Sequence, residues 1–384
     1  MNSGNGLLDE TKHPMCEFAA ARSTPDARKS RLPRSQSAPV SLLSVSTAVP
    51  DTVITQAEAK DLARTLFGRR ASAFERLAPV FDNAGIDKRH IVRPIDWYRG
   101  DHGWKARNDV YLEAAEALYI EAARKALDQA GIAADEVDGL VTVSTTGIAT
   151  PSLEARVAGR MGFRRDVERV PLFGLGCAGG VSGLATASRL AAGREGKTIL
   201  FVTVELCSTS IRLDKLSKAN IVATALFADG AAAAVLRAGE GGLAAIEGGA
   251  EILWPDTLGI MGWDVEDPGL GVIFDRSIPP FVEENMAAAV EQILHHASQS
   301  RGAVKRYTCH PGGAKVVAAL EQSLSIAEGS LDHERAVLRE YGNMSAPTVL
   351  FVLKRVLEGG MPERTLLLAL GPGFTTSGLT LARA

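Results

Sequence analysis

The sequence predicts an α/β fold built on mixed sheets. Short runs rich in Val, Ile, Leu and Ala, bounded by Gly, Pro, Asn and Asp, alternate with longer segments of helical period. That alternation is the pattern of strands with helices packed on their faces. A second observation points the same way. Each half holds one Gly-containing turn entering a helix of small residues, at Cys177 and again at Asn343–Ser345, which hints at an internal duplication.

In order along the chain, VSLLSVSTAVP (40–50) reads as a buried strand ended by Pro50. Residues 56–68 and 74–85 have helical period, and the Ala-rich stretch 110–131 is a long helix that Gly131 stops. VDGLVTVST (137–145) is a strand, SLEARVAGRMG (152–162) a helix, and 167–173 a strand running into GLGCAGGVSGLATASRLAAG (174–193), a tight turn opening a helix. TILFVTVELCS (198–208) and AAAAVLRA (231–238) are the strands that close the first half. The second half opens with a strand at 243–253 and a helix at 279–299 introduced by Pro279-Pro280. YTCHPGG (307–313) is a strand end and turn before the helix 314–324. Residues 339–360 are a turn and helix, and 364–384 are two strands around a Gly-Pro-Gly turn. Residues 1–37 differ in kind: Arg22–Ala38 is rich in Arg, Ser and Pro without an apolar period and reads as a flexible tail. The expected organisation is therefore a tail (1–37), a first half (38–240) and a second half (241–384).

Composition narrows the function. The 384 residues carry 42 Lys+Arg against 45 Asp+Glu, a formal charge of −3, with 46% hydrophobic and 23% charged residues. A near-neutral balance excludes the basic excess of a nucleic-acid protein. Four cysteines (Cys16, Cys177, Cys207, Cys309) are too few for a disulfide framework, so a reducing, cytoplasmic setting is expected. No apolar run is long enough to span a bilayer, and the first forty residues lack the apolar block of a secretory signal.

Cys177 is the strongest chemical candidate. A thiol at a helix N-terminus meets the positive end of the helix dipole and unpaired N–H groups, which favour the nucleophilic thiolate. The glycines around it let a bulky substrate approach the backbone. His310, at a strand end in CHPGG, is the residue type that stabilises a thiolate as imidazolium. Asn343, in YGNMSAP, is an amide able to donate to an oxyanion. Each has a bland reading (buried core thiol, structural histidine, N-cap); together, on equivalent turns, they form a nucleophilic set. The pair His295-His296 lies on a polar helix end and reads as solvated. No C-x-x-C spacing supports a metal site, and GLGCAGG lacks the Lys-Ser/Thr of a phosphate loop.

These blocks resemble a known family. GLGCAGG, LFADGAAAAVL, HPGGAKV, YGNMSAPTVLF and ALGPGF, in this order, are similar to the signature blocks of type III polyketide synthases, the chalcone synthase superfamily. The resemblance runs from about residue 40 to the C-terminus. It implies a thiolase-like fold: two similar halves, each a mixed five-stranded sheet with helices, stacked α-β-α-β-α, in a homodimer. It implies Cys177 as acyl-carrying nucleophile with His310 and Asn343 completing a triad, acyl-CoA and malonyl-CoA as substrates, and no cofactor or metal. Phe227 matches an aromatic gatekeeper. Val272, with Phe274 beside it, aligns with a second one, and Thr150 with a position that projects toward the partner's cavity. Thr145, Ser345 and Pro372 complete the expected pocket. CoA should dock at a basic mouth, with Arg69, Arg70, Arg76, Lys88 and Arg89 as candidates.

LWPDTLGIMGWDVEDPGLGVIFDRSIP looks like the matching stretch of bacterial alkylresorcinol and alkylpyrone synthases. Apolar lining from Ile148, Ile260 and Met261 would suit a long fatty acyl starter, since each buried CH2 contributes about 0.8 kcal/mol. Two other readings stay open: a ketoacyl synthase III-like enzyme that condenses once, and a non-catalytic scaffold that keeps the fold.

Overall fold

The computed structural model describes residues 39–66, 71–212 and 217–384. The first half runs β1 (Val40–Ala48), β2 (Thr52–Thr55), α1 (Gln56–Leu66), α2 (Ala71–Leu77), α3 (Pro79–Asp82), β3 (Lys88–Ile91), α4 (Trp104–Ala130), β4 (Gly139–Val143), α5 (Leu153–Met161), β5 (Glu168–Leu172), α6 (Gly179–Ala191), β6 (Thr198–Leu206), α7 (Lys218–Leu226) and β7 (Asp229–Ala238). The second runs β8 (Ala244–Leu253), β9 (Met261–Glu266), β10 (Gly269–Phe274), α8 (Ile278–His296), β11 (Arg306–Cys309), α9 (Ala314–Ser323), α10 (Asp332–Tyr341), α11 (Thr348–Glu358), β12 (Arg364–Gly371) and β13 (Thr375–Arg383). The boundary expected at 240/241 falls in the connection between β7 and β8. The tail, 1–37, lies outside the described residues.

The order of elements repeats. The series β1-α4-β4, then α6-β6-β7, returns as β8-α8-β11, then α11-β12-β13. The sheet order is β11-β12-β13-β8-β1-β7-β6-β4-β5. Two features differ from the expected pair of separate five-stranded sheets. β1 pairs with β8 through Val40↔Ile246, Ser41↔Ala245 and Leu42↔Ala244, so the two sheets are hydrogen-bonded into one of nine strands. The second half contributes four of these, because helices α9 and α10 stand where the first half places α5 and β5.

Strand periodicity explains the layers. Alternate residues of a strand face opposite ways. In β7, Ala231, Ala233 and Val235 join a core with α4 and α5, while Ala232, Ala234 and Leu236 join a core with α6 and α11. In β12, Leu367 and Ala369 face that same central core, and Leu366, Leu368 and Leu370 pack toward α8 and α9. The central pair of helices is thus shared by both halves, giving the α-β-α-β-α stack. Burial of one such leucine contributes about 1.5–3 kcal/mol. Both faces of these strands are apolar, which is why they read as continuous hydrophobic runs.

Local differences have local causes. The helix expected over 74–85 breaks at Ala78, because Pro79 supplies no N–H to continue it. Gly131 ends α4 in the left-handed region (φ +63°), as expected of a C-terminal glycine, but the helix starts earlier, at Trp104. The sequence reading passed over α7, α10, the β2–β3 pair and the β9–β10 hairpin. No helix among the described residues is long and apolar enough to cross a membrane.

Candidate active site

Cys177 sits in a 3₁₀ turn, Gly176–Ala178, that leads straight into α6. Gly176 adopts φ +48°, and a Cβ there would lie 2.7 Å from Cδ of Pro372, so the turn closes onto the β12–β13 connection only with glycine. A Cβ on Gly180 would meet the Ala346 carbonyl oxygen at 2.3 Å. The start of α6 and the approach to α11 therefore touch backbone to side-chain-free backbone. This contact brings the Cys177 turn against the Asn343–Ser345 turn.

Asn343 is held by its backbone on both sides. Its N–H donates to the Leu226 carbonyl (2.9 Å) and its carbonyl accepts from the Ala228 N–H (2.9 Å), an isolated bridge beside Phe227. Its Oδ1 accepts from the Ser345 N–H at 2.8 Å, with Ser345 in the left-handed region at φ +59°. A serine held there is locally strained, a state found most often at functional sites. The Asn343 amide donates to the Gly312 carbonyl at 3.1 Å. The Ser345 and Asn343 side chains also act on the Cys177 thiol, both favouring its anion. Asn343 thus links the thiol with the turn that follows His310. His310 continues the β11–β12 pairing by donating its N–H to the Leu368 carbonyl (2.7 Å). Its imidazole is buried, and neither ring nitrogen has a hydrogen-bond partner among the described residues. A buried unsatisfied ring is costly and therefore informative.

Burial works against charge at both groups. Burial pushes the Cys177 thiol up to about 11, outweighing the Ser345 and Asn343 side chains that favour the anion. Burial likewise pulls His310 down to about 3. Burial thus opposes the charged form of both groups.

The thiol opens on a small chamber of about 30 Å³. Of the expected pocket residues, Phe227, Val272, Phe274, Ser345 and Pro372 line it. Thr145 does not. It is buried behind the Cys177 turn, where its hydroxyl accepts from the Gly176 N–H at 3.4 Å. Thr150 and Ile148 lie on an exposed loop outside the chamber of their own chain, and Ile260 packs on the α8 core instead. The sequence reading missed Gly262, Trp263 and Ile273, and placed Cys207 merely at a strand end, yet all four line the chamber. Phe227 meets Trp263 (5.9 Å between ring centroids) and Phe274 (6.5 Å), so three aromatic rings close one side. The legible signal was alternation on both sides of Asp267-Pro268-Gly269, the mark of a hairpin.

Beside the chamber lies a groove of about 560 Å³ that shares Phe274 with it. Arg76, Lys218, Arg276 and Lys315 line the groove, next to the Gly312-Gly313 turn. Of the expected basic residues, only Arg76 is there. Lys88 is exposed on β3, and Arg69 and Arg70 lie outside the described residues. Arg89 is a correction: it is buried, with its guanidinium donating to the carbonyls of Thr224 (2.7 Å), Ala225 (2.6 Å) and Phe227 (3.0 Å) and to Gln56 Oε1. It cannot meet a ligand phosphate, because it caps the C-terminal end of α7.

Two buried carboxyls stand behind the chamber. Glu205 accepts from the N–H groups of Thr145 and Thr146 (3.0 Å each) and from the Thr146 hydroxyl (2.8 Å). Asp229 accepts from the Val92 and Ser208 N–H groups. Burial raises both to about 7. A carboxyl whose folded value lies above its unfolded one supports the fold fully below pH 4 and loses that support as pH rises toward 7. Thermal stability attributable to these groups should therefore fall between about pH 4 and 7. In Glu205→Gln that dependence should become shallower by one group's share, since Asp229 and Glu334, which burial also raises to about 7, still titrate. Melting temperatures measured across that range check it; an unchanged slope would show that Glu205 titrates normally.

Comparison with known proteins fits this architecture. "Chalcone and stilbene synthases, N-terminal domain" matches residues 27–240, and the C-terminal domain of the same family matches 246–383. The chain belongs to this family. It is a type III polyketide synthase, an acyltransferase. It is 38% identical over 345 residues to 1,3,6,8-tetrahydroxynaphthalene synthase of Streptomyces peucetius subsp. caesius, covering 87% of this chain and 90% of that one. It is 28% identical over 349 residues to 3,5-dihydroxyphenylacetyl-CoA synthase of Streptomyces toyocaensis, covering 87% of each. The crystal structure of 1,3,6,8-tetrahydroxynaphthalene synthase from Streptomyces coelicolor A3(2), a bacterial type III polyketide synthase, superposes with a TM-score of 0.83 at 31% identity, over 89% of this chain and 99% of that one.

Proposed function

We propose that the chain condenses malonyl-CoA repeatedly onto an aliphatic, long-chain acyl-CoA starter carried by Cys177, and that the product cyclises to an alkylpyrone or alkylresorcinol. What supports condensation at this site is the apolar chamber around the thiol, which shares Phe274 with a basic groove of a size suited to a CoA nucleotide; the long-chain starter rests on the likeness of residues 253–279 to alkylresorcinol and alkylpyrone synthases. Arg76, Lys218, Arg276 and Lys315 would meet its phosphates.

The chemistry uses the groups in place. The Cys177 proton passes to His310 as the sulfur adds to the starter carbonyl; the bond to CoA breaks, and CoA leaves as a thiol with that proton. Malonyl-CoA then loses CO2, and the electron pair stays as an enolate. Its oxygen is met by N–H donors of His310 and Asn343, the kind of fixed donors that lower such barriers most. The enolate carbon attacks the Cys177 thioester, and the thiolate is expelled for the next round. The apolar side supplied by Phe227 and Phe274 offers no partner to the malonyl carboxylate. Assembly as a homodimer belongs to the same reading: the sheet ends at β5, beside the exposed Phe173 and Ile148, and light scattering reads the mass.

The chamber volume favours one other reading. At about 30 Å³ the space does not hold a long acyl tail as it stands, which suits a short starter and a compact ring. A panel of acyl-CoA starters from acetyl to palmitoyl, with malonyl-CoA and mass detection, decides. Rising kcat/KM with chain length is expected. Preference for acetyl, malonyl or aromatic starters would overturn the long-chain reading, and a single two-carbon addition without a ring would point to a ketoacyl synthase III-like enzyme.

A further inference from the structure

The chamber wall formed by Trp263, Val272 and Phe274 belongs to a structure the central sheet does not hold. β9 and β10 form a two-stranded sheet of their own, paired from Met261↔Phe274 at the base to Glu266↔Gly269 at the tip. Its outer side is open to solvent, with Val265 82% exposed. A two-stranded hairpin is marginal alone. Where it stands depends on what grips it, and the base is secured by the Asp275 N–H donating to the Ile260 carbonyl at 2.9 Å.

The tip is gripped from the first half of the chain. Arg212, 3% exposed, sends its guanidinium to the carbonyls of Asp267 (3.0 Å) and Gly269 (3.2 Å) and to the Glu266 carboxylate (3.4 Å). The Trp104 indole N–H donates to the Glu266 carbonyl at 2.8 Å. Arg212 is itself anchored. The Asn220 side chain accepts from its N–H (3.4 Å) and donates to its carbonyl, and Asn220 lies in the first turn of α7, the helix that leads to Phe227. Arg107 donates to the neighbouring Ile211 carbonyl at 3.0 Å. One buried guanidinium therefore adds a polar tie at the tip of a hairpin whose Trp263, Val272 and Phe274 pack against Ala223, Leu226 and Phe227.

We infer that Arg212 is a positioning residue: by clamping the hairpin tip it sets how far the Trp263–Phe274 wall stands from Phe227, and so the length of chain the chamber accepts. This rests on the reading of the chamber as the acyl site. Arginine suits the task because its planar fork reaches several oxygens at once; lysine keeps the charge and loses the fork.

Arg212→Lys and Arg212→Gln, each with the wild-type protein, test it by two readouts. Backbone amide exchange over 261–274 should quicken about tenfold or more, while β6 and β7 exchange as before. With malonyl-CoA and the starter panel, the ratio of longer to shorter products should shift about threefold or more. Arg212→Lys should show the smaller effect in both. Unchanged hairpin exchange in Arg212→Gln, or exchange raised equally in β6 and β7, would overturn the clamp. Faster hairpin exchange with an unchanged product ratio would overturn the control of length. Should wild-type protein make no polyketide from any starter, the reading of the site fails and the length control with it, while the exchange result still decides the clamp.

Discussion

Cys177→Ala will stop chain extension and spare the step before it. Product formation should fall by about 10³-fold or more, because the growing chain loses its covalent anchor. The protein should also lose the mass adduct that appears on incubation with an acyl-CoA starter. Malonyl-CoA decarboxylation should persist at a measurable rate, since His310 and the Asn343 amide remain to meet the enolate oxygen. Mass spectrometry of intact protein and of released acetyl-CoA reads both halves. Equal loss of the two activities in a folded variant would sink the division of labour between the sulfur and the two donors.

Arg89→Met should cost about 3–5 kcal/mol of stability, the scale seen when one partner of a buried charged set is removed. The change strands the Thr224 and Phe227 carbonyls at the end of α7, leaves Ala225 only its bond from the Gln56 amide, and takes away the cation that faces the buried Asp229 carboxyl. Burial holds the Arg89 guanidinium down at about 10, still charged at neutral pH. Because the Phe227 carbonyl is one of its acceptors and Asn343 bridges beside Phe227, condensation should weaken along with the fold. Urea unfolding measures the loss; a change under about 1 kcal/mol would mean that the α7 end is held by packing alone.

Chain order and residue type made part of this molecule readable before any coordinates. The buried strands declared themselves as unbroken apolar runs, since both of their faces meet helices. Gly131 marked a helix end, and the Gly176–Cys177 and Asn343–Ser345 turns marked themselves by glycine and small polar residues at helix entries. What stayed hidden was whatever depends on long-range company. Arg89 and Lys88 are neighbours in sequence, and both read as candidates for a phosphate. One points into the end of α7 and the other into solvent, a difference of strand alternation that only packing reveals. Lys218, Arg276 and Lys315 come from three separate elements, and no local pattern groups them.

By itself the sequence determined the α/β class, the repeated plan of its halves, and the thiol, imidazole and amide on their turns, because each of these is written in local periodicity and residue type. Only the tertiary structure decided that the two sheets join edge to edge, that burial opposes charge on Cys177 and His310, and that Trp263 on a separate hairpin walls the chamber. Charge state and cavity shape are set by residues far apart in the chain, whose meeting depends on register and burial that no window of neighbouring residues contains.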